Sequence, residues 1–212
     1  MRSIVTFFAI AVIGCSPSDP PPTSTATASV SVEQTVGNVA VQSQSRGSVQ
    51  VSAGSADVSI DVDGVTIRKF SGRVVGVTDG DTLDVLRSDN STVRVRFNGV
   101  DAPERGQPFG DNAKRYVSDT FHRSPDVTII DLGQDRYGRT IGEVIAGGRR
   151  LGVDLVAAGL AWHYVKYSPD DTELADAERT AREAKRGLWS DPRHVAPWEW
   201  RKLSKDERDQ LR

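Results

Sequence analysis

The sequence predicts a mainly β domain with helices: a five-stranded OB-like barrel carrying about three α-helices. Three observations predict it. Three strand-like runs lie close together in "FSGRVVGVTDGDTLDVLRSDNSTVRVRFNGV". Two more, "DVTIIDLG" and "TIGEVIAGG", follow after a helical stretch. Helical periodicity dominates the rest. Strands first, then helices interleaved with two more strands, is the order of a small barrel.

The elements follow in order. Strands are expected over about 71–78, 81–87 and 92–98, with Asp89-Asn90 as the second turn. Residues 109–123 read as a helix capped near Gly110 or Asp111. Strands over 126–133 and 140–148 flank a polar loop, and 150–160 is a short helix closing near Gly159. Residues 171–187 form an amphipathic helix. Leu174, Ala177, Ala181 and Ala184 share one face, and Gly187 suits the position after its end. Trp162 and Trp189 read as packing residues. Trp198 and Trp200 of "APWEWRK" are expected to fold back on the domain, ahead of a polar helical or frayed end.

The first residues read differently. "MRSIVTFFAIAVIGCS" pairs Arg2 with an apolar run from Ile4 to Ile13. A membrane span needs about 20 apolar residues. The run is too short for that and suits a signal peptide over 1–14. Val12-Ile13-Gly14-Cys15 resembles a bacterial lipobox, which implies lipidation of Cys15 and a lipid anchor worth about 0.8 kcal/mol per buried CH₂. Ser16 is unlike the aspartate that retains lipoproteins at the inner membrane. The expected place is therefore the bacterial cell envelope, at the outer membrane facing periplasm or cell surface. The alternative is secretion, with Cys15 incidental.

Residues 15–48 are rich in Ser, Thr, Pro and Val and read as a flexible tether. Residues 49–69 alternate at period two and read as an added hairpin about Asp63-Gly64 or as linker. The main domain is set at 70–192 and a C-terminal extension at 193–212. One cysteine excludes an intrachain disulfide. The formal net charge of -2 excludes a general polycation. Arg2 and Arg46 are the only basic residues before Arg68, so the domain itself is near neutral and must bind polyanions through local clusters.

"TDGDT" (78–82), "RFNGVDAPERG" (96–106) and "DRYGRT" (135–140) carry the chemistry. They supply Asp79, Asp81, Asp101 and Glu104 with Arg96, Arg139 and Arg105. Asp79 and Asp81 by themselves read as turn residues. The full set meets three needs together. Hard divalent ions take oxygen ligands. Phosphates take forked guanidinium donors. A carboxylate off the metal can orient or deprotonate water. Those needs describe phosphodiester hydrolysis. His122, His163 and His194 are too scattered for a zinc site. Arg94 and Asp84 read as a solvated strand face and Tyr137 as packing, while Arg136 is divided between a phosphate contact and the bare surface.

From Phe70 to Trp189 the chain resembles the thermonuclease family, the staphylococcal-nuclease-like domain. The resemblance rests on "TDGDTLDV", "VRVRFNGVDAPE", "DRYGRTIG", "AAGLAWHY" and "AREAKRGLW" in the family's order. It implies Ca²⁺ held by Asp81, Asp101 and the backbone carbonyl of Ala102. It implies Arg96 and Arg139 on the phosphate, Glu104 as the base or water-orienting group, and Asp79 as a supporting carboxylate. It also implies cleavage that leaves 3′-phosphates. Two departures stand out: the loop "RGQPFGDNAK" is short, and of the family's tyrosine pair one position falls on Val165, so Tyr164 and Tyr167 are the substrate-contact candidates. The expected partner is nucleic acid, DNA or RNA, single-stranded or frayed, bound by a monomer with no protein partner. Two rivals are a catalytically silent nuclease-like domain that binds nucleic acid or envelope ligands, and an OB-like envelope-binding domain with a structural Ca²⁺.

Overall fold

The computed structural model describes residues 24–36, 39–51, 58–62 and 65–212. They fall into two units divided between Lys69 and Phe70. In the first, β1 (Ser24–Val36) pairs antiparallel with β2 (Val39–Val51), β2 with β3 (Val58–Val62), and β3 with the opening residues of β4 (Val65–Asp79). The composition reading made 15–48 a tether, but the structure lays most of it down as strand. The signal it passed over is period two: Ala26, Ala28, Val30 and Val32 alternate with polar residues, as do Val39 and Val41. The signal peptide, Cys15 and the Asp63-Gly64 turn lie outside the described residues. Among the described residues no helix is long and apolar enough to cross a membrane.

In the second unit β4 continues from Phe70 and pairs antiparallel with β5 (Thr82–Arg87), which pairs antiparallel with β6 (Thr92–Phe97). A two-residue strand β7 (Val100–Asp101) and helix α1 (Gly110–Arg123) follow. Strand β8 (Asp126–Gln134) pairs with β4 and antiparallel with β9 (Thr140–Ala146), while β9 runs parallel to β6 with Val95 opposite Thr140. The circuit β4-β5-β6-β9-β8-β4 closes a five-stranded barrel of OB type, as the alternation predicts. Leu83 and Val85, Val95 and Phe97, Val127 and Ile129 are the buried apolar members of their strands. On the opposite strand face Arg94 on β6 pairs with Asp84 on β5 at 2.8 Å.

Helix α1 caps one end of this core with Ala113, Val117 and Phe121, spaced four apart and buried. After β10 (Arg149–Arg150), helix α2 (Leu151–Ala157) buries Leu151, Leu155 and Val156. Strand β11 (Trp162–His163) pairs with β7, setting Trp162 opposite Asp101. Helix α3 (Thr172–Glu183) is capped by Asp171, whose side chain accepts from the Leu174 N–H at 3.1 Å. It ends earlier than its pattern suggests. Lys185, at φ 51°, takes the left-handed position expected of Gly187. Gly187 is left-handed as well, at φ 52°, and also serves contact: a Cβ there would stand 2.2 Å from the Gly159 carbonyl oxygen. The Leu188 N–H donates to that same oxygen at 2.8 Å.

A second apolar cluster gathers Trp162, Ala181, Leu188 and Trp189, with Trp198 packed against it. The C-terminal segment, with α4 (Pro197–Trp200) and α5 (Lys205–Gln210), folds back as expected, and Trp200 is buried.

Candidate metal and phosphate site

The site begins where β4 leaves its ladder. Pairing with β5 shifts register between Val74 and Gly76 and again between Val77 and Asp79. Such irregularities bend a strand and re-aim its side chains. The turn that follows presses against the rest of the domain. A Cβ on Gly80 would stand 2.6 Å from the Ala113 Cβ and 2.7 Å from the Ala102 Cβ. That contact explains the glycine of "TDGDT": residue 80 must be small for the turn to sit between α1 and the segment after β7. Asp81 is thereby buried. Its Oδ2 accepts from the Ala102 N–H at 2.6 Å, and its Oδ1 from the Thr82 hydroxyl at 3.1 Å. The Asp81 N–H donates to Asp79 Oδ1 at 3.2 Å.

Register places the next member. Arg96 on β6 lies opposite Thr82 on β5, one residue from Asp81, on the outer face of the barrel. Its guanidinium bridges two carboxylates: Nη1 stands 2.6 Å from Asp81 Oδ2, and Nη2 donates to Asp101 Oδ1 at 2.9 Å. The Nη1 approach is an ion pair by distance with no N–H aligned on an acceptor. Asp101 is fully buried at the end of β7, held in place by the β11 pairing. Pro103 carries the chain out of β7 to Glu104, whose N–H donates to Gln107 Oε1 at 2.9 Å. Ala102, expected to offer its carbonyl, also fixes Asp81 through its N–H.

The structure adds a residue that sequence reasoning missed. Arg201, just past α4, reaches Asp101 with Nη1 at 3.1 Å and Nη2 at 2.7 Å, and Glu104 with Nε at 2.6 Å. The one available signal was that Arg201 adjoins Trp200 in a tail whose tryptophans were expected to fold back. Nothing in local spacing links it to a carboxylate a hundred residues earlier.

Arg139 stands on the loop between β8 and β9. Its Nε donates to Asp135 Oδ2 at 2.7 Å, so that loop holds it, and it lines the same open cleft of about 890 Å³ as Asp79, Asp81, Arg96, Glu104 and Arg201. Tyr164 and Tyr167 line it too. Tyr164 stacks on Trp198 at 4.9 Å and 11° and meets Tyr167 edge-on at 4.8 Å. Tyr137 differs from its reading as packing. It is 69% exposed on the cleft, with the Arg136 guanidinium 4.9 Å from its ring centre. Arg105 is exposed and outside the cleft lining.

The charges leave the cluster short of positive charge. Asp79, Asp81, Asp101 and Glu104 face two guanidiniums, Arg96 and Arg201. Burial and then the charge of Asp81 push the Asp79 carboxyl up to about 7. Burial also pushes Asp101 up, against the pull of Arg201 and Arg96. Among the described residues no group of three or more His, Cys, Asp or Glu is gathered to hold a metal by side chains alone. The two buried carboxylates Asp81 and Asp101, joined through the Arg96 guanidinium, nonetheless fit a hard divalent ion completed by carbonyl or water oxygens.

The family described as staphylococcal nuclease homologue matches residues 94–191. A micrococcal nuclease of Shigella flexneri is 42% identical over 147 residues, 65% of this chain and 83% of that protein. The chain belongs to the staphylococcal nuclease family. Protein ParB of Escherichia coli is 38% identical over 152 residues, 67% of this chain and 85% of that one. An uncharacterized endonuclease of Haemophilus influenzae is 37% identical over 133 residues, 63% and 74% of the two chains. The family match takes in Arg96, Asp101, Glu104 and Arg139. Asp79 and Asp81 precede it and Arg201 follows it.

Proposed function

We propose that this protein is a divalent-cation-dependent phosphodiesterase that hydrolyses nucleic acid, DNA or RNA, with Ca²⁺ as the cation and 3′-phosphates as products. One observation carries the reading: a single guanidinium, Arg96, bridges the buried carboxylates Asp81 and Asp101 in a cleft that also presents Glu104 and Arg139. A phosphodiester needs a cation, a fork for its oxygens and an acceptor for a water proton, and that cleft holds candidates for all three.

Asp81, Asp101 and the Ala102 carbonyl are the groups to hold Ca²⁺. When bound there, it supplies Lewis-acid polarisation of a phosphoryl oxygen. Arg96 and Arg139 bind the phosphate and offset the negative charge that grows on it, an effect worth roughly 3–4 kcal/mol per preorganised donor in such sites. Glu104 orients a water and accepts its proton as the water attacks phosphorus in line; the P–O5′ bond breaks, the phosphate stays on the 3′ side, and the departing 5′-oxygen takes a proton from solvent. Asp79 raises the field that favours a cation. Tyr164 and Tyr167 offer ring faces to unpaired bases, which favours single-stranded or frayed substrates. The protein acts as a monomer, anchored through a lipidated Cys15 to the bacterial envelope at the outer membrane, where its substrate is extracellular or periplasmic nucleic acid.

The test is cleavage of single-stranded DNA by protein lacking residues 1–15, with Ca²⁺, with chelator, and with Glu104→Gln. Cleavage that requires Ca²⁺ and falls by about 10²–10⁴ in Glu104→Gln is expected. A folded protein inactive with Ca²⁺, Mg²⁺ and Mn²⁺ that still binds the DNA would make the domain a silent binding module.

A further inference from the structure

We infer that Arg201 is a working member of the site: a positioning residue, supplied by the C-terminal segment, that sets Glu104 for its water and competes with the divalent ion for Asp101. The inference rests on the proposed hydrolytic function and goes beyond it, since Arg201 lies ten residues past the family match that ends at Asp191.

The geometry is that of a designed clamp. Both nitrogens of the Arg201 fork reach the two oxygens of Asp101, and Nε reaches Glu104 Oε1 at 2.6 Å. One planar group therefore fixes the distance between the two carboxylates, which a lysine could not do. A guanidinium stays cationic across the working pH range, so the clamp keeps its charge. Glu104 needs such a hold. It stands on a turn, and its side chain is 39% exposed.

The same segment grips that turn at two more points. Gln107, which accepts from the Glu104 N–H, donates its Nε2 to the Val195 carbonyl at 2.6 Å. Arg212 donates Nε to the Gly106 carbonyl at 2.9 Å. Trp200, adjacent to Arg201, is buried, and Trp198 stacks on Tyr164 of the cleft. The Glu104 turn is thus braced from both sides by residues 195–212.

Competition follows from lone pairs. Asp101 Oδ1 already accepts from Arg96 and Arg201, and Oδ2 accepts from Arg201. A divalent ion on Asp101 must share those oxygens with a guanidinium of like sign. Removing that charge strengthens cation binding, whereas removing the clamp frees Glu104. The two effects have opposite signs, which loss of folding could not produce.

The experiment compares the parent, Arg201→Gln and Arg201→Lys as full-length domains from residue 16 on. Ca²⁺ affinity is read by calorimetric titration without nucleic acid, and kcat and KM on single-stranded DNA are read separately. Melting curves check that each variant folds. Arg201→Gln is expected to bind Ca²⁺ about tenfold tighter, near 1.4 kcal/mol, while kcat falls about 10²-fold. KM should move far less than kcat. Arg201→Lys keeps the charge and loses the fork, so its Ca²⁺ affinity should stay at the parent's while kcat recovers only in part. A parent that binds Ca²⁺ and cleaves, with Arg201→Gln matching it in both affinity and kcat, overturns this inference alone. A parent that neither binds Ca²⁺ nor cleaves overturns it together with the proposed function.

Discussion

Gly80→Ala probes the contact that sets Asp81. Gly80 has no positive φ among the described residues, so the demand on it is room and not backbone freedom. The added Cβ would meet methyl carbons at 2.6 and 2.7 Å, where carbon atoms rest at about 3.5–4.0 Å. The turn must therefore retreat by about 1 Å from Ala102 and Ala113. Overpacking of this kind costs about 2 kcal/mol, and at roughly 3 °C per kcal/mol for a domain of this size the melting temperature should fall by about 6 °C. The larger effect is on function. Asp81 is bonded to the Ala102 N–H at 2.6 Å, and a displacement of about 1 Å at a reacting centre costs about 10²-fold in rate. Melting followed by circular dichroism and Ca²⁺-dependent cleavage measure the two. Ala113→Gly removes one of the two obstructing methyls, so the double variant Gly80→Ala/Ala113→Gly should regain part of the activity lost by the single one. Unchanged melting and unchanged cleavage in Gly80→Ala would refute the close-packing account of "TDGDT".

Other consequences follow from charge. Asp79 is held from 3.8 up to about 7 in the folded protein, so folded chains keep a proton that unfolded chains have lost, and stability present below pH 3.8 drains away as pH rises to about 7. In chelator, Asp79→Asn should exceed the parent by about 2 kcal/mol at pH 8, half of the ~4 kcal/mol the whole displacement represents, and match it near pH 3, as urea unfolding will show. Arg150 joins Glu143 at 2.9 Å, Asp171 at 2.5 Å and Glu173 at 2.8 Å, binding β9 to the start of α3. Arg150→Met strands the two more buried carboxylates and should cost about 2–3 kcal/mol in the same assay, discounted from the 3–5 of a fully buried pair. Burial alone would raise the Asp171 carboxyl, but Arg150 holds it below its ordinary value. Its share of stability is present at neutral pH and lost as pH falls, so the acid transition of Arg150→Met should begin at higher pH. With Arg96 and Arg139 as the phosphate contacts, the logarithm of single-strand affinity should fall with log salt at a slope near -1.4, measured by fluorescence anisotropy on Glu104→Gln with Ca²⁺. A slope several times steeper would mean that other cations grip the strand.

The barrel was legible because its strands alternate. Leu83 and Val85, then Val95 and Phe97, mark inward faces by period alone, and the three helices declare themselves by spacing. Element ends were not legible. Helix α3 stops at Glu183, short of the expected Gly187, because the chain already turns left-handed at Lys185 before it does so again at Gly187. The β1–β2 hairpin was overlooked because its Ser- and Thr-rich composition outweighed an alternation that was present all along. Tyr137 was read as packing, whereas the structure leaves it exposed beside the guanidiniums of Arg136 and Arg139.

By itself the sequence determined the barrel, the helical faces and six of the candidate site residues: Asp79, Asp81, Arg96, Asp101, Glu104 and Arg139. Those residues sit within short motifs whose internal spacing already constrains their chemistry. Only the tertiary structure decided how they are joined. The β5–β6 register puts Arg96 beside Asp81, the β7–β11 pair buries Asp101, and the chain's last twenty residues return to lay Arg201 across Asp101 and Glu104. Local patterns report forces that act over a few residues. A contact between residues a hundred positions apart depends on the closed barrel and on the buried tryptophans that dock the tail, and no window of sequence contains both.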